Sequence, residues 1–587
     1  MAGGNRKITQ LLKKHWLFGL IFLIAAFLRF WHLGDFDFSH DELSALYRTQ
    51  FNSFSELIEK AVRIDGHPAL VQVFLYYWAP LVDYSEFWIK LPSVLFGLGT
   101  MIFIYLASRR LQTGIWAAFP VLILCLSEFF LYYQTVARPY AWGGFFVAWA
   151  GYAYISYFFH KPKTSYLIAF GLAASLAAYS HYLALLSVLL MGITALIRTR
   201  KKPWPWLLTG LGVLVLFAPH LGIFKDQLAM GGVGQWLGKP DYDWLLNFFS
   251  YQLNYLPLWG PFLMIALAWL AFKSRFPDAW VWFLACFGIA FLYSHLRNPV
   301  LQFSSLIFLS PFIFFIPLKE TKLQKGIPLV YLVLAILLGF SLLKTRRYYQ
   351  EAHLSPPKEA GRYKASIQQN DLPVFYHWSA EKWDFYRQIS NGIPKGKAID
   401  QLDLEHFPND FVLIMDHTSP GFWPLKIIDA GYEIKERANH FGFSLHHYQR
   451  TGKNTDSQKL GITLMASQEI KAQAKPYLYI DSLSSYTLLA DEPQSQVVAH
   501  IDNFQGPENA HLVFHIMDGD QSVQWIAHPL KQGSNYISSP IGDYGVNNFN
   551  WKVLIDQGSD TATCSGNIDV RLWTGNPIVY GLVQDIK

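Results

Sequence analysis

Up to about residue 343 this chain repeats long apolar runs, roughly every 20 to 35 residues, which is the spacing of serial membrane crossings. Beyond residue 344 the repetition stops and the sequence reads as ordinary globular protein. A run of about 20 apolar residues is enough for one helix to cross the ~30 Å hydrocarbon core. Only 15% of the residues are charged, against roughly 25% in soluble domains, so the composition agrees with a membrane module carrying a soluble part. The net charge of +6 is modest and no basic block is long enough to suggest nucleic acid. Cys125, Cys286 and Cys564 offer neither a disulfide framework nor a Cys/His metal spacing. The first apolar segment, residues 16–33, lacks a small-residue cleavage site and reads as a retained span.

Charge flanks set the expected topology. Arg6, Lys7, Lys13 and Lys14 keep the N-terminus in the cytoplasm. Five later positive loops, at Arg109-Arg110, Lys161 to Lys163, Arg198 to Lys202, Lys273 to Arg275 and Lys319 to Lys325, are expected on the same side. Outer loops then fall near Glu86, Arg138, His181, residues 224–255 and residues 295–299. The apolar stretch 68–82 lies between two outer loops. It is either a helix dipping into the outer leaflet or one of a pair of short spans. About 11 to 13 crossings are expected, an odd number that delivers everything after residue 344 to the outside.

Polar residues gather at the expected outer boundary. Directly after the first span comes Asp35-Phe36-Asp37-Phe38-Ser39-His40-Asp41-Glu42. Paired carboxylates at a membrane surface suit general-base or metal chemistry on a membrane-borne substrate. Later outer loops carry Asp65-Gly66-His67-Pro68, Lys90-Leu91-Pro92-Ser93, Gln134 to Tyr140, Ser180-His181-Tyr182 and His295 to Pro299, the last with Arg297. Arg138 stands in an aromatic, nearly uncharged neighbourhood where an unpaired guanidinium is costly. It calls for an anionic partner, and the guanidinium fork matches phosphate oxygens.

This ordered series of motifs over residues 15–345 resembles membrane glycosyltransferases of family 39 type, the superfamily of protein O-mannosyltransferases and lipid A aminoarabinose transferases. The resemblance implies a GT-C fold and a polyprenyl-phosphate sugar donor. It gives Asp41 the role of catalytic base with Glu42 as partner. Arg138, Lys90 and His67, with Arg297, would hold the donor phosphate, and Asp65, Tyr140 and His181 would contact substrate. Three positions depart from the family pattern. Ala69 stands where a further proline is common, Lys90 where arginine is usual, and Ser304-Ser305 where an Arg-Tyr pair precedes the late proline, here Pro311. Arg297 is the candidate replacement for that arginine. Some relatives hold a divalent cation near the acidic pair, but no ligand set for one stands out in this sequence.

The implied reaction is coherent. The lipid phosphate is a good leaving group, so the protein needs to hold it and to deprotonate an acceptor on the opposite face of the sugar, which inverts the anomeric centre. The partners would be the polyprenyl-phosphate sugar, a lipid, glycan or protein acceptor, and membrane lipids. The acceptor pocket is expected in residues 224–255, which include Gly231-Gly232-Val233-Gly234. A multi-pass protein of the cell inner (plasma) membrane is expected, with its C-terminal domains periplasmic or extracytoplasmic.

The tail divides into two parts. Residues 346–452 alternate apolar runs, such as Val374 to Tyr376 and Phe411 to Met415, with a helical stretch from Ala380 to Ile389, the pattern of a small α/β domain. Residues 453–587 carry short strands separated by turn residues, as in a β-sandwich. Two other functions fit many spans and boundary charges: a flippase of lipid-linked glycans and an inactive glycan-binding scaffold. The clustering of polar residues at one face, with no path through the bilayer, favours the enzyme.

Overall fold

The computed structural model describes the chain except residues 1, 113, 231–236, 257–258, 273–275, 316–326, 400–407, 417–421, 441, 452–461, 471–476, 480–495, 519–520, 541–549, 558–563 and 574–587. It divides into two compact units. One comprises residues 1–355 with 388–391, the other residues 356–387 with 392–587.

The first unit is helical. Three of its described helices are both long and apolar enough to cross a membrane, at Glu86–Leu111, Trp204–Ala229 and Asp278–Leu296. Five shorter apolar helices are His15–Phe30, Ala69–Leu81, Trp116–Leu126, Thr164–Ser180 and Tyr182–Arg198. Several expected crossings are shorter or broken for local reasons. The fourth apolar run forms helix Phe119–Leu126 and then helix Glu128–Tyr133, with Ser127 extended between them. The described residues 300–315 carry short helical turns, Phe303–Leu306 and Ser310–Ile313. The ambiguous segment 68–82 is a 13-residue helix, Ala69–Leu81. At 1.5 Å per residue it covers about 20 Å, short of the ~30 Å core.

Small residues let the helices approach closely, as in other membrane bundles. A Cβ on Gly143, in helix Pro139–Phe159, would lie 2.6 Å from the Phe308 ring and 3.3 Å from Ala184. The ends that the charge rule assigns to the cytoplasm are pinned together. Arg198 makes a two-pronged pair with Asp278, Nε to Oδ2 at 3.0 Å and Nη2 to Oδ1 at 2.9 Å, and the Tyr154 hydroxyl donates to the same carboxylate at 2.9 Å.

The second unit holds the tail from residue 356 onward, apart from residues 388–391. Strands β1 Val374–His377, β2 Gly396–Ala398, β3 Asp410–Asp416, β4 Tyr432–His440 and β5 Phe443–Arg450 form one sheet in the order β2-β1-β3-β5-β4. Its β2-β1-β3 half is parallel. The central run Phe411 to Met415 is buried throughout, as a strand covered on both faces must be. The remaining strands are β6 Ile462–Ile470, β7 Tyr477–Tyr479, β8 Gln496–Gln505, β9 His511–Asp518, β10 Gln521–Pro529, β11 Gly533–Pro540, β12 Asn550–Asp556 and β13 Ser565–Trp573. They form two antiparallel sheets, β10-β9-β12-β7 and β11-β8-β13-β6. Alternate residues of both, such as Leu512, Phe514, Val553 and Ile555 against Ala499, Ile501, Ile568 and Val570, share one core. That is a β-sandwich.

Substituting Gly143 by valine forces a branched side chain against Phe308. Thermal unfolding of purified protein in detergent should show a loss of about 1–3 kcal/mol. Gly192→Ala, where a Cβ meets open space, should leave the midpoint unchanged.

Candidate active site

The acidic segment folds around a capping box. Ser39 caps helix His40–Tyr47, its hydroxyl accepting from the Glu42 backbone while the Glu42 carboxylate accepts from the Ser39 N–H at 2.9 Å. This fixes the first helical turn, and successive residues on a helix point in different directions. Glu42 turns inward and is buried, whereas Asp41 is exposed.

Glu42 is the junction of three motifs. Lys90 Nζ donates to both its oxygens, at 2.6 and 2.8 Å, and the Ala137 N–H donates to Oε1 at 2.7 Å. The Lys90 and Glu42 side chains are 0% and 1% exposed. The ammonium also lies 5.2 Å from the Phe38 ring centroid. Lys90 is sealed from solvent and its charge is matched by Glu42. Glu42 is occupied in holding the motifs together.

The second motif meets the first through a residue the sequence reading passed over. Arg48, at the C-terminal end of helix His40–Tyr47, pairs with Asp65 at 2.9 Å. Burial alone would raise the Asp65 carboxyl. The His67 ring, Arg138 and Arg48 outweigh it and hold Asp65 well below the usual carboxylate range. Gln227, in helix Leu221–Ala229, donates to the backbone carbonyls of Val62 and His67 at 2.6 and 3.0 Å and accepts from the Tyr182 hydroxyl. The expected acceptor region 224–255 therefore begins as a helix that clamps the His67 loop. Its glycine stretch 231–234 lies outside the described residues.

Arg138 sits where these motifs converge. Its Nη2 lies 3.4 Å from His67 Nδ1. The same ring nitrogen is 3.5 Å from Asp65, so it accepts from Arg138 when neutral and donates to Asp65 when protonated. The His67 and His181 ring centroids are 5.2 Å apart, and Tyr140 lies 6.2 Å from His181. The Tyr140 hydroxyl interacts with Ser304, one of the two serines that depart from the family pattern. Burial works against the Arg138 charge, but the negative charges of Asp41 and Asp65 outweigh it and raise Arg138 above its ordinary value. Burial, together with the positive charges of His67 and Arg138, holds His181 well below the usual histidine range.

The structure thus brings together Asp41, Glu42, Asp65, His67, Lys90, Arg138, Tyr140 and His181. It does not bring in Arg297, which ends helix Asp278–Leu296 with an exposed side chain and, among the described residues, makes no contact with this cluster. Among the described residues no group of three or more His, Cys, Asp or Glu side chains is placed to hold a metal ion. Asp65 and His67 are engaged with Arg48 and Arg138. Committed in this way, these side chains do not fit a divalent cation.

Residues 66–223 match the family model described as dolichyl-phosphate-mannose-protein mannosyltransferase. That stretch carries His67, Lys90, Arg138, Tyr140 and His181, while Asp41, Glu42 and Asp65 precede it. It agrees with the resemblance read from the motifs. No curated protein matches the chain. Solved structures similar to it include ArnT from Cupriavidus metallidurans bound to undecaprenyl phosphate, at 12% identity and TM-score 0.45, covering 74% of this chain and 98% of that one. The Archaeoglobus fulgidus oligosaccharyltransferase AglB, in complex with an inhibitory peptide and a dolichol-phosphate, is similar at 10% identity and TM-score 0.41, covering 92% and 96%. The S. cerevisiae protein O-mannosyltransferase Pmt1-Pmt2 complex bound to the sugar donor is similar at 19% identity and TM-score 0.30, covering 41% and 36%.

Removing one partner of a buried pair leaves an uncompensated charge, at a cost of about 3–5 kcal/mol. Lys90→Met should therefore lower the thermal midpoint sharply, whereas Asp41→Asn, on an exposed side chain, should leave it near the parent value. Melting curves of the two purified variants check the contrast.

Proposed function

We propose that this protein is an integral membrane glycosyltransferase that moves a sugar from a polyprenyl-phosphate donor to an acceptor with inversion. In this reading Asp41 is the general base and Arg138 holds the donor phosphate. One observation carries it, the way the charges of the cluster pair off. Glu42 takes Lys90 and Asp65 takes Arg48. Arg138 is 7% exposed, makes no ion pair among the described residues, and leaves its Nε without a hydrogen bond. Asp41 makes no hydrogen bond or ion pair among the described residues, yet its charge acts on Arg138, Tyr132, Tyr133 and Tyr140. A buried guanidinium with donors to spare, next to an accessible carboxylate, suits an anionic leaving group beside a group that must lose a proton.

The mechanism follows from these positions. The donor phosphate accepts from the Arg138 fork, and the negative charge that grows as the glycosidic C–O bond breaks is stabilised there. The acceptor hydroxyl or amine gives its proton to an Asp41 oxygen as its lone pair forms the new bond to the anomeric carbon. Polyprenyl phosphate leaves with the bonding electron pair. Attack from the face opposite the phosphate inverts that carbon. The Tyr132 and Tyr133 rings meet edge-on at 5.2 Å and form an aromatic wall within electrostatic reach of the acid. His67 lines the cation side, and neutral His181 adds a ring without adding charge. Asp65 acts through Arg48 and His67 as a positioning residue. We place this site on the outer face of the cell inner membrane, with the C-terminal unit outside the cytoplasm, because the positive loops flank the opposite helix ends.

Purified protein supplied with radiolabelled polyprenyl-phosphate mannose, glucose and arabinose should release or transfer one of these sugars. Asp41→Asn should lower that rate by about 10²-fold or more, with polyprenyl phosphate binding retained. Arg138→Lys should already weaken phosphate binding, because one ammonium cannot reproduce two parallel N–H···O bonds. Parent-level activity in a folded Arg138→Lys protein would remove the phosphate contact. Lipid movement without any sugar transfer would identify a flippase instead.

Orientation has its own test. A reporter that fluoresces only in the cytoplasm, fused after Lys587, should stay dark, and a bright fusion overturns the outer-face placement.

A further inference from the structure

The chain that follows the last apolar helix folds back onto the acidic segment. Helix Ile327–Phe340 ends in a π-helical turn, Ser341–Thr345. Arg346 follows, 1% exposed, with its Nε donating to Glu128 Oε2 at 2.5 Å and its guanidinium 4.9 Å from the Tyr255 ring centroid. Glu128 is fully buried and begins helix Glu128–Tyr133, which carries Tyr132 and Tyr133 and leads into Gln134 and Arg138. Asn254 locks this junction. Its Oδ1 accepts from the Glu128 N–H at 2.7 Å, and its Nδ2 donates to the Leu126 and Leu338 carbonyls at 2.9 and 3.1 Å.

The strap then reaches the acids. The His353 ring stacks on Phe36 at 3.7 Å and lies 5.4 Å from Tyr132. The His353 carbonyl accepts from the Asp37 N–H at 3.2 Å. Both the N–H and the hydroxyl of Ser355 donate to Asp37 Oδ2, at 2.9 and 3.2 Å. The Tyr349 hydroxyl donates to the Leu28 carbonyl at 2.6 Å. Asn254, Tyr255 and Arg347 all hold left-handed backbone, with φ of 54°, 54° and 49°. Such conformations in non-glycine residues persist only where the surroundings over-determine them, and they gather at functional sites.

We infer that residues 346–355 are a positioning strap for the active site and that Glu128, Arg346, Asp37 and Ser355 are its positioning residues. Arg346–Glu128 at one end sets the helix that delivers the tyrosine wall and Arg138. Ser355–Asp37 at the other sets the turn that delivers Asp41, four residues further on. The strap therefore fixes the distance between base and phosphate site. This rests on the reading of Asp41 and Arg138 given above.

Full-length Glu128→Gln and Asp37→Asn proteins test the strap, assayed with whichever radiolabelled polyprenyl-phosphate sugar the parent uses. Each should lower kcat by about tenfold or more, the scale of a small misplacement of reacting groups, while the Kd for polyprenyl phosphate stays within about twofold of the parent. Because both act through one element, the double variant should lose little more than the worse single one, where unrelated lesions would multiply. If Glu128→Gln does not purify as one species, Asp37→Asn combined with Ser355→Ala carries the same test from the other end. Parent-level kcat in monodisperse strap variants, with Asp41→Asn inactive, overturns the strap and leaves the base standing. Multiplicative losses in the double variant overturn it as well. An active Asp41→Asn overturns the base itself and the strap with it.

Discussion

The buried pair of Glu42 and Lys90 is the interaction on which the site depends. Through it the segment after the first helix, the helix Glu86–Leu111 and the loop before helix Pro139–Phe159 share hydrogen bonds. Two charges removed from water cost several kcal/mol each, and their attraction offsets this only when the remaining donors and acceptors are matched. Here they are matched, by the Ala137 and Ser39 N–H groups as well as by the ammonium. Such a pair contributes little net stability compared with apolar packing, but it has one low-energy arrangement. Ala137 precedes Arg138 and Glu42 follows Asp41, so fixing the pair fixes the spacing of their neighbours.

A second layer of buried polar contacts supports this one from behind. Arg29 near the end of the first helix is fully buried, and its Nη2 donates to the Leu124 carbonyl at 2.8 Å and to Gln134 Oε1 at 2.6 Å. Leu124 lies in the helix that stops at Ser127, and Gln134 opens the segment that ends at Arg138. Gln134 can occupy this position because Gly97 has no side chain, a Cβ there lying 2.8 Å from its own. The break in the helix frees carbonyls and N–H groups that lipid cannot satisfy. Arg29 and Asn254 supply partners, so the irregular backbone is stable where it is enclosed by protein.

Much of the architecture was legible from the sequence because it follows from periodicity and composition. Apolar runs marked the helical module, the apolar runs at Val374 and Phe411 marked the α/β part of the tail, and short strands separated by turn residues marked the sandwich. Strands β6 and β11 were missed, the first beside a polar linker and the second a run of Gly, Ser and Asn with weak strand signal. The members of this cluster were legible as a set because the loops that carry them share one end of the bundle, and helix ends set that end together. Their division of labour was not. Whether an acid faces solvent or a lysine depends on one helical step, which Ser39-x-x-Glu42 encodes as a capping box but motif matching alone does not reveal. Arg29, Glu128 and Arg346 were visible as charges within or beside apolar runs, the strongest available signal of a buried role. Their partners lie 95 to 218 residues away in the chain, beyond any local pattern.

The same polar inventory bears on the choice between transferase and flippase. A path for a sugar headgroup needs polar side chains with open valences from one side of the membrane to the other. At the end opposite the candidate site, Asp278 is satisfied by the Arg198 fork and the Tyr154 hydroxyl, and the Arg198 guanidinium lies over the Phe158 and Phe159 rings. Between the two ends, Glu128 is taken by Arg346 and Asn254 by backbone carbonyls. Moving a headgroup past these pairs would require breaking buried charge contacts with nothing to replace them. Around Arg138 and Asp41 the reverse holds, since a guanidinium nitrogen and a carboxylate remain uncommitted there among the described residues. A buried guanidinium nitrogen beside an exposed carboxylate is an arrangement that a reaction at a membrane surface can use.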